Sequence, residues 1–237
     1  MIDRETAFRY LTGALTGGPR PDAVGRKFDA EGRVLRFPGN TTLCHIDRDS
    51  DAFAALAEAQ ARLKAGPLAD AFTFLPPESF HMTIFEGVID SHRTPDRWPR
   101  HLPADMPLGE VTRDFSTRLA GLGLDRRFRA RPTGILGGFY VDMEGADAAA
   151  EAALRLTRDR LQAATNLHRS NHADYGFHIT LAYLLRWLAP AEAEVLLDLC
   201  DEIGRDLVAR VPEIVLGPVE FCRFDDMYRF EPLLHVS

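Results

Sequence analysis

The sequence predicts an α+β fold assembled from two similar halves, and three observations carry that reading. Short apolar runs of strand length alternate with Ala- and Leu-rich stretches of helix length. The order strand, helix, strand occurs twice. The closing strand of each occurrence holds the same polar pair in an apolar frame. Those closing strands are Phe80-His81-Met82-Thr83-Ile84 and Phe177-His178-Ile179-Thr180-Leu181. Side chains alternate across a strand, so His81 and Thr83 share one face while Met82 and Ile84 share the other; His178 and Thr180 stand likewise against Ile179 and Leu181. An imidazole beside a hydroxyl is a poor packing choice on an apolar strand unless each group finds a partner. It is a good choice for holding a phosphate.

The elements follow in order. A short helix is expected over residues 2–15, stopped by Gly17-Gly18-Pro19. Residues 21–38 are polar and turn-rich, with Phe28, Val34, Leu35 and Phe37 as sparse apolar points, and read as an extension wrapping the body. The domain reading is therefore an N-terminal extension over 1–38 and a single bilobal domain over 39–237, its two lobes interleaved. A strand over 39–46 leads to a helix over 51–64, capped by Asp49-Ser50-Asp51 and closed by Gly66-Pro67. A short strand over 72–75 and the Pro76-Pro77 turn precede the first motif. Residues 90–109 lack periodicity and read as a long loop of the kind that serves as a lid; His92 and His101 in it are expected at the surface. A helix over 110–122 and strands over 127–131 and 134–143 come next, then a helix over 147–164 and the second motif. After it a helix over 191–208 and a strand pair within 213–230 complete the chain.

Paired His-x-Thr motifs on strands about a hundred residues apart resemble the 2H phosphoesterase superfamily, which includes 2′-5′ RNA ligase-like proteins and cyclic phosphodiesterases. The resemblance covers residues 81–183 directly. It implies two similar α+β lobes about a pseudo-twofold axis, each with an antiparallel sheet and helices, and a central cleft into which each lobe presents one motif. It also implies His81 and His178 as catalytic residues and Thr83 and Thr180 as phosphate ligands, with no cofactor and no metal. Tyr183 matches an aromatic that some members carry three residues after the second threonine. Strict alternation turns it away from the cleft, so a bulge or strand end after Ala182 is needed to bring it round. Phe85 falls on the cleft face by alternation and is the other candidate substrate contact.

The chemistry is consistent with those roles. Opening a cyclic phosphodiester by water needs one group to take a proton and one to give it, and imidazole does either near neutral pH. Threonine hydroxyls can donate to the nonbridging oxygens. Which histidine is acid and which is base is not legible from sequence. Arg223 and Arg229 could add phosphate contacts, but surface placement is the default for arginine.

Composition bounds the partners. The formal charge of −7 argues against a long basic track for duplex nucleic acid and leaves a small nucleotide or an RNA terminal phosphate as the expected substrate. Lys27 and Lys64 are the two lysines in a chain whose other cations are arginines. Cys44, Cys200 and Cys222 are widely spaced and form neither a zinc pattern nor a disulfide framework, so a reducing cytoplasm is expected. No run is apolar enough for a signal peptide or a bilayer span, and no obligate protein partner is evident.

Two rivals stand beside this reading. His168, His172, Asp174 and His178 are close in sequence, with the first two spaced to share a helical face, and could hold a metal. A binding module could use the same cleft without turnover.

Overall fold

The structure, a computed structural model, describes residues 3–137 and 139–237. Met1, Ile2 and Gly138 lie outside the described residues, and with them the first position of the expected 2–15 helix and one position of the expected 134–143 strand. Helix α1 spans Arg4–Leu11 and starts where the Asp3 carboxylate accepts from the Thr6 amide at 2.8 Å. Strand β1 (Gly39–His45) is followed by α2 (Asp51–Lys64), whose Ser50 cap accepts from the Phe53 amide at 3.1 Å. Then come β2 (Phe72–Phe74), β3 (His81–Ile89), α3 (Leu108–Leu119), β4 (Phe128–Leu136) and β5 (Tyr140–Gly145). Helix α4 (Ala148–Thr165) is capped by Asp147 and ends on Asn166 in the left-handed region at φ 52°. The remaining elements are β6 (Phe177–Thr180), β7 (Ala182–Leu184), α5 (Pro190–Arg210), β8 (Ile214–Leu216), β9 (Glu220–Phe224) and β10 (Glu231–His235).

Eight strands form one antiparallel sheet in the order β10-β9-β1-β3-β6-β5-β4-β8, and β2 pairs with β7 in a small second sheet. The long sheet divides at its centre. Reading outward, β3-β1-β9-β10 mirrors β6-β5-β4-β8, and the units β1-α2-β3 and β5-α4-β6 are equivalent. The two expected lobes are thus halves of one continuous sheet, joined by the Met82 to Ile179 pair of β3 and β6. The interleaving is explicit, since β9 and β10, last in the chain, complete the half that β1 begins.

Met82, Ile84 and Ile179 are fully buried in the same cluster as Leu154 and Leu161 of α4 and Leu196 and Ile203 of α5. A second, smaller core gathers Phe28 and Phe37 of the N-terminal segment with Leu75, Phe224 and Met227. That segment is knit to the body, the Phe37 amide donating to Asp225 O at 2.7 Å. Arg4 reaches Glu194, Asp198 and Asp201 of α5 at 2.6 to 2.8 Å, all well exposed, so these pairs orient α1 and add little stability.

Three expectations need correction. The 127–131 and 134–143 strands are divided elsewhere: β4 runs through Pro132, with a register shift between Pro132 and Gly134, and the hairpin to β5 falls at residues 137–139. Pro132 is tolerated because β4 has already run past β8, whose last pair is at Ala130, so the missing amide breaks no ladder there. The strand pair within 213–230 is three strands, the last beyond the range and forming the sheet's edge, where Pro232 is also tolerated. The 90–109 loop is aperiodic as read but internally fastened. Trp98 is buried, its indole donates to Pro103 O at 2.9 Å, and Arg93 lies over its ring while donating to Ala104 O and Met106 O.

Candidate active site

The site forms where β3 meets β6. With Met82 opposite Ile179 in an antiparallel pair, continuing the register sets His81 beside Thr180 and Thr83 beside His178. Alternating burial marks the faces: all four are partly exposed, whereas Met82, Ile84 and Ile179 have no exposure. The imidazoles are oriented alike. Nδ1 of His81 lies 2.7 Å from Ser79 O, and Nδ1 of His178 lies 3.0 Å from Gly176 O, in each case the carbonyl two residues upstream. A carbonyl only accepts, so each Nδ1 carries the proton and each neutral ring keeps Nε2 unprotonated, free to work in the cleft.

The cleft has a volume of about 160 Å³, and all four motif residues line it. Tyr183 lines it too, because β6 ends at Thr180 and both Leu181 N and Ala182 N donate to Phe139 O, a kink that reverses the alternation. Buried Gln60 holds this kink by donating to Leu75 O and Leu181 O, each at 2.8 Å. Phe85 takes the other outcome. Thr42 pairs with Phe85 and Leu43 with Thr83, so Ile84 is an extra residue in β3, and the phase changes beyond it. Phe85 enters the core at 1 % exposure, and Glu86 takes the cleft position that alternation assigned to the phenyl ring. The bulge leaves Ile84 O for Arg158 Nη1 at 2.5 Å, and Phe85 O accepts the Thr42 hydroxyl at 2.9 Å.

Four further residues complete the site. Lys27 reaches in from the N-terminal segment, 3.0 Å from the Tyr183 hydroxyl. Arg169 is almost fully buried and binds Glu86 at 3.1 Å. Tyr175 is buried over the Arg158 guanidinium, 3.9 Å from its ring centre, and hydrogen-bonds Thr83. Phe230 packs on His81, ring centres 4.3 Å apart. Residue order gives one faint signal for any of them, the rarity of lysine.

Burial lowers the pKa of both histidines below the ordinary value, with His81 pushed down to about 3. Their surroundings then differ. His81 sits opposite His45 in the ladder and feels the positive charge of His45, His178 and Lys27. His178 sits opposite Asp142, and Glu86 and Asp142 offset part of its burial.

With this geometry in view, relatives become informative. A family model described as "2H-phosphodiest: Domain of unknown function (DUF1868)" matches residues 27–137, which include the first motif. The crystal structure of the conserved protein of unknown function ATU0111 from Agrobacterium tumefaciens str. C58 is 33% identical over 97% of this chain and 98% of that one, with a TM-score of 0.92. The chain belongs to the 2H phosphoesterase superfamily. A more distant 2H comparison, the crystal structure of TT0787 of Thermus thermophilus, gives a TM-score of 0.42 at 19% identity over 80% of this chain and 87% of that one. No curated protein matches this 2H chain.

The rival metal set does not converge in this 2H phosphoesterase. His168 Nε2 lies 3.2 Å from Asn166 Oδ1, His172 Nε2 binds Asp159 at 2.8 Å, and His178 faces the cleft. Ligand atoms do gather elsewhere, at His45, Glu220 and Cys222, within 4.8 Å of one another. That trio suits a metal poorly: burial and the Glu220 carboxylate push the Cys222 thiol pKa up, and Glu220 is already bonded to His45. Arg223 pairs with Glu231 across the β9–β10 edge, and Arg229 is exposed beside a neighbouring pocket with His45 and Arg48. His92 lies 2.7 Å from Arg26 Nη2, and His101 binds Asp114 at 2.8 Å. Among the described residues no helix is long and apolar enough to cross a membrane.

Proposed function

We propose that this 2H phosphoesterase hydrolyses a cyclic phosphodiester, 2′,3′ or related, or a 2′-5′ phosphodiester, in a nucleotide or at an RNA end, by a scheme that uses no metal. One observation carries the reading: two His-x-Thr strands adjoin in antiparallel register, each imidazole tied at Nδ1 and free at Nε2. In the scheme one imidazole takes a proton from water, whose oxygen attacks phosphorus. The P–O bond to the ribose breaks, and the other imidazole, protonated, delivers its proton to the departing oxygen. Thr83 and Thr180 donate to the nonbridging oxygens, where charge develops.

The asymmetry of the surroundings supports a division of labour. His178, with Asp142 and Glu86 near, is the better proton carrier and takes the acid role; His81, beside His45 and Lys27, takes the base role.

This assignment has a pH signature. In the free protein both pKa values lie below 6.5, so the form with one charged and one neutral ring is most populated on the acid side of 6.5. As pH rises further, the protonated member is lost. The expected profile of kcat/KM peaks below pH 6.5 and falls about tenfold per pH unit on the alkaline side. A maximum above pH 7.5 would contradict the paired-imidazole scheme.

The deciding assay is hydrolysis of nucleoside 2′,3′-cyclic phosphates with a chelator present. Turnover is expected. Tight binding of the nucleotide without turnover would favour the binding module over the enzyme.

A further inference from the structure

Lys27 stands apart from the other cations at the cleft. Its ammonium carries three donors, and one is used, toward the Tyr183 hydroxyl at 3.0 Å. It makes no ion pair among the described residues, whereas neighbouring Arg26 is bound to Asp22 and His92. It lies 4.5 Å from the Tyr183 ring centre and 5.5 Å from that of Phe37, which hold the stem against the cleft wall. Tyr183 is itself committed, its hydroxyl donating to Met227 Sδ at 3.6 Å while accepting from Lys27. That makes Tyr183 the support of the ammonium more than a donor to substrate. The backbone around Lys27 is also fixed: its amide donates to Ala23 O at 2.9 Å, and its carbonyl accepts from the Leu35 amide at 2.8 Å.

The charge balance of the cleft gives this position meaning. Glu86 is the one carboxylate lining it among the described residues, and Arg169 already compensates Glu86. One positive charge is left over, in a chain whose formal charge is −7. We propose that Lys27 is a third phosphate-binding residue, supplied by the N-terminal segment, and that its unpaired ammonium selects a singly charged phosphodiester and stabilises the charge added at phosphorus during attack. The segment of residues 23–37 is on this account a wall of the active site. The inference rests on the phosphoesterase reading of the cleft.

The test measures binding and turnover separately. Titration calorimetry with inorganic phosphate is run on the unaltered chain and on Lys27→Met, which keeps the stem on Tyr183 and Phe37 without the charge. Lys27→Gln, which keeps a donor toward Tyr183, and Lys27→Arg, which keeps the charge, complete the series. Removing a charged hydrogen bond is expected to weaken phosphate binding roughly 10- to 100-fold in the Met and Gln variants. The Arg variant should stay within about threefold, and the unfolding midpoint should be unchanged in all three. The same ordering is expected in kcat/KM for a nucleoside 2′,3′-cyclic phosphate. Phosphate affinity in Lys27→Met and Lys27→Gln equal to that of the unaltered chain overturns the assignment even if turnover is seen. Affinity that depends on Lys27 without any turnover upholds it and removes the hydrolytic reading instead. Absence of phosphate binding by the unaltered chain overturns both.

Discussion

Replacing either His81 or His178 with alanine is expected to lower kcat for a nucleoside 2′,3′-cyclic phosphate by about 10²- to 10⁴-fold, the range that one positioned acid or base contributes. Each ring reaches the cleft through Nε2 and is anchored through Nδ1 to a carbonyl, Ser79 O or Gly176 O. Truncation removes the proton carrier and frees that carbonyl, which water entering the half-open cleft can satisfy. The fold should therefore be nearly unaffected, so that lost activity reports chemistry. The two groups act in one proton relay, and the double variant is expected to lose far less than the product of the single losses. Steady-state kinetics with unfolding midpoints on the three variants checks this. Activity within tenfold of the unaltered chain in either single variant would sink the two-histidine mechanism.

The largest expected effect on stability is at Gly87. It follows the Ile84 bulge and sits at a second register shift, where Gly39 pairs with Ile89 and Thr41 with Glu86. Asn40 fills that irregularity, its side-chain oxygen accepting from the Val88 amide at 3.1 Å and its amide nitrogen donating to Thr112 at 3.0 Å. A Cβ on Gly87 would lie 2.2 Å from Asn40 Oδ1 and 2.4 Å from Asn40 O. The side-chain amide could swing aside at the cost of its two hydrogen bonds; the backbone oxygen moves only if β1 separates from β3. Gly87→Ala is thus expected to destabilise the fold by about 3 kcal/mol or more, an overpacking strain added to a broken buried polar pair. Gly121→Ala gives a contrast, since a Cβ there meets nothing within 4 Å and its positive φ is the one penalty. Chemical denaturation of both variants measures the difference, and a Gly87→Ala loss below about 1 kcal/mol would show that β1 gives way more easily than its pairing implies.

The motif strands, their shared polar face and the duplicated unit are legible in the sequence because periodicity and caps are local. Ser50 and Asp147 cap the helices that sequence assigns them. Alternation misplaces Phe85 for a reason no local pattern carries. The bulge that turns it inward exists because Arg158, far along the chain, takes the Ile84 carbonyl. Lys27 and Arg169 escape a sequence reading for a similar reason, since neither lies within a motif and both reach the cleft by tertiary placement. Tyr183 is recoverable once a strand end is allowed for, and the kink at Leu181 supplies that end. Strand boundaries fail at Pro132 and Pro232, where proline reads as a break until the strand is known to have a free side.

The closing of one half of the sheet by β9 and β10 bears on how the chain is made. During synthesis β1, α2 and β3 leave the ribosome early and can pair at once, yet the outer side of β1 waits for Phe224 to meet Gly39. Until then the nascent protein presents an open strand edge and an unsheltered His81, whose packing partner Phe230 is among the last residues translated. The second half, from β4 to β8, emerges nearly in one piece, so the later-made motif would be housed before the earlier one is.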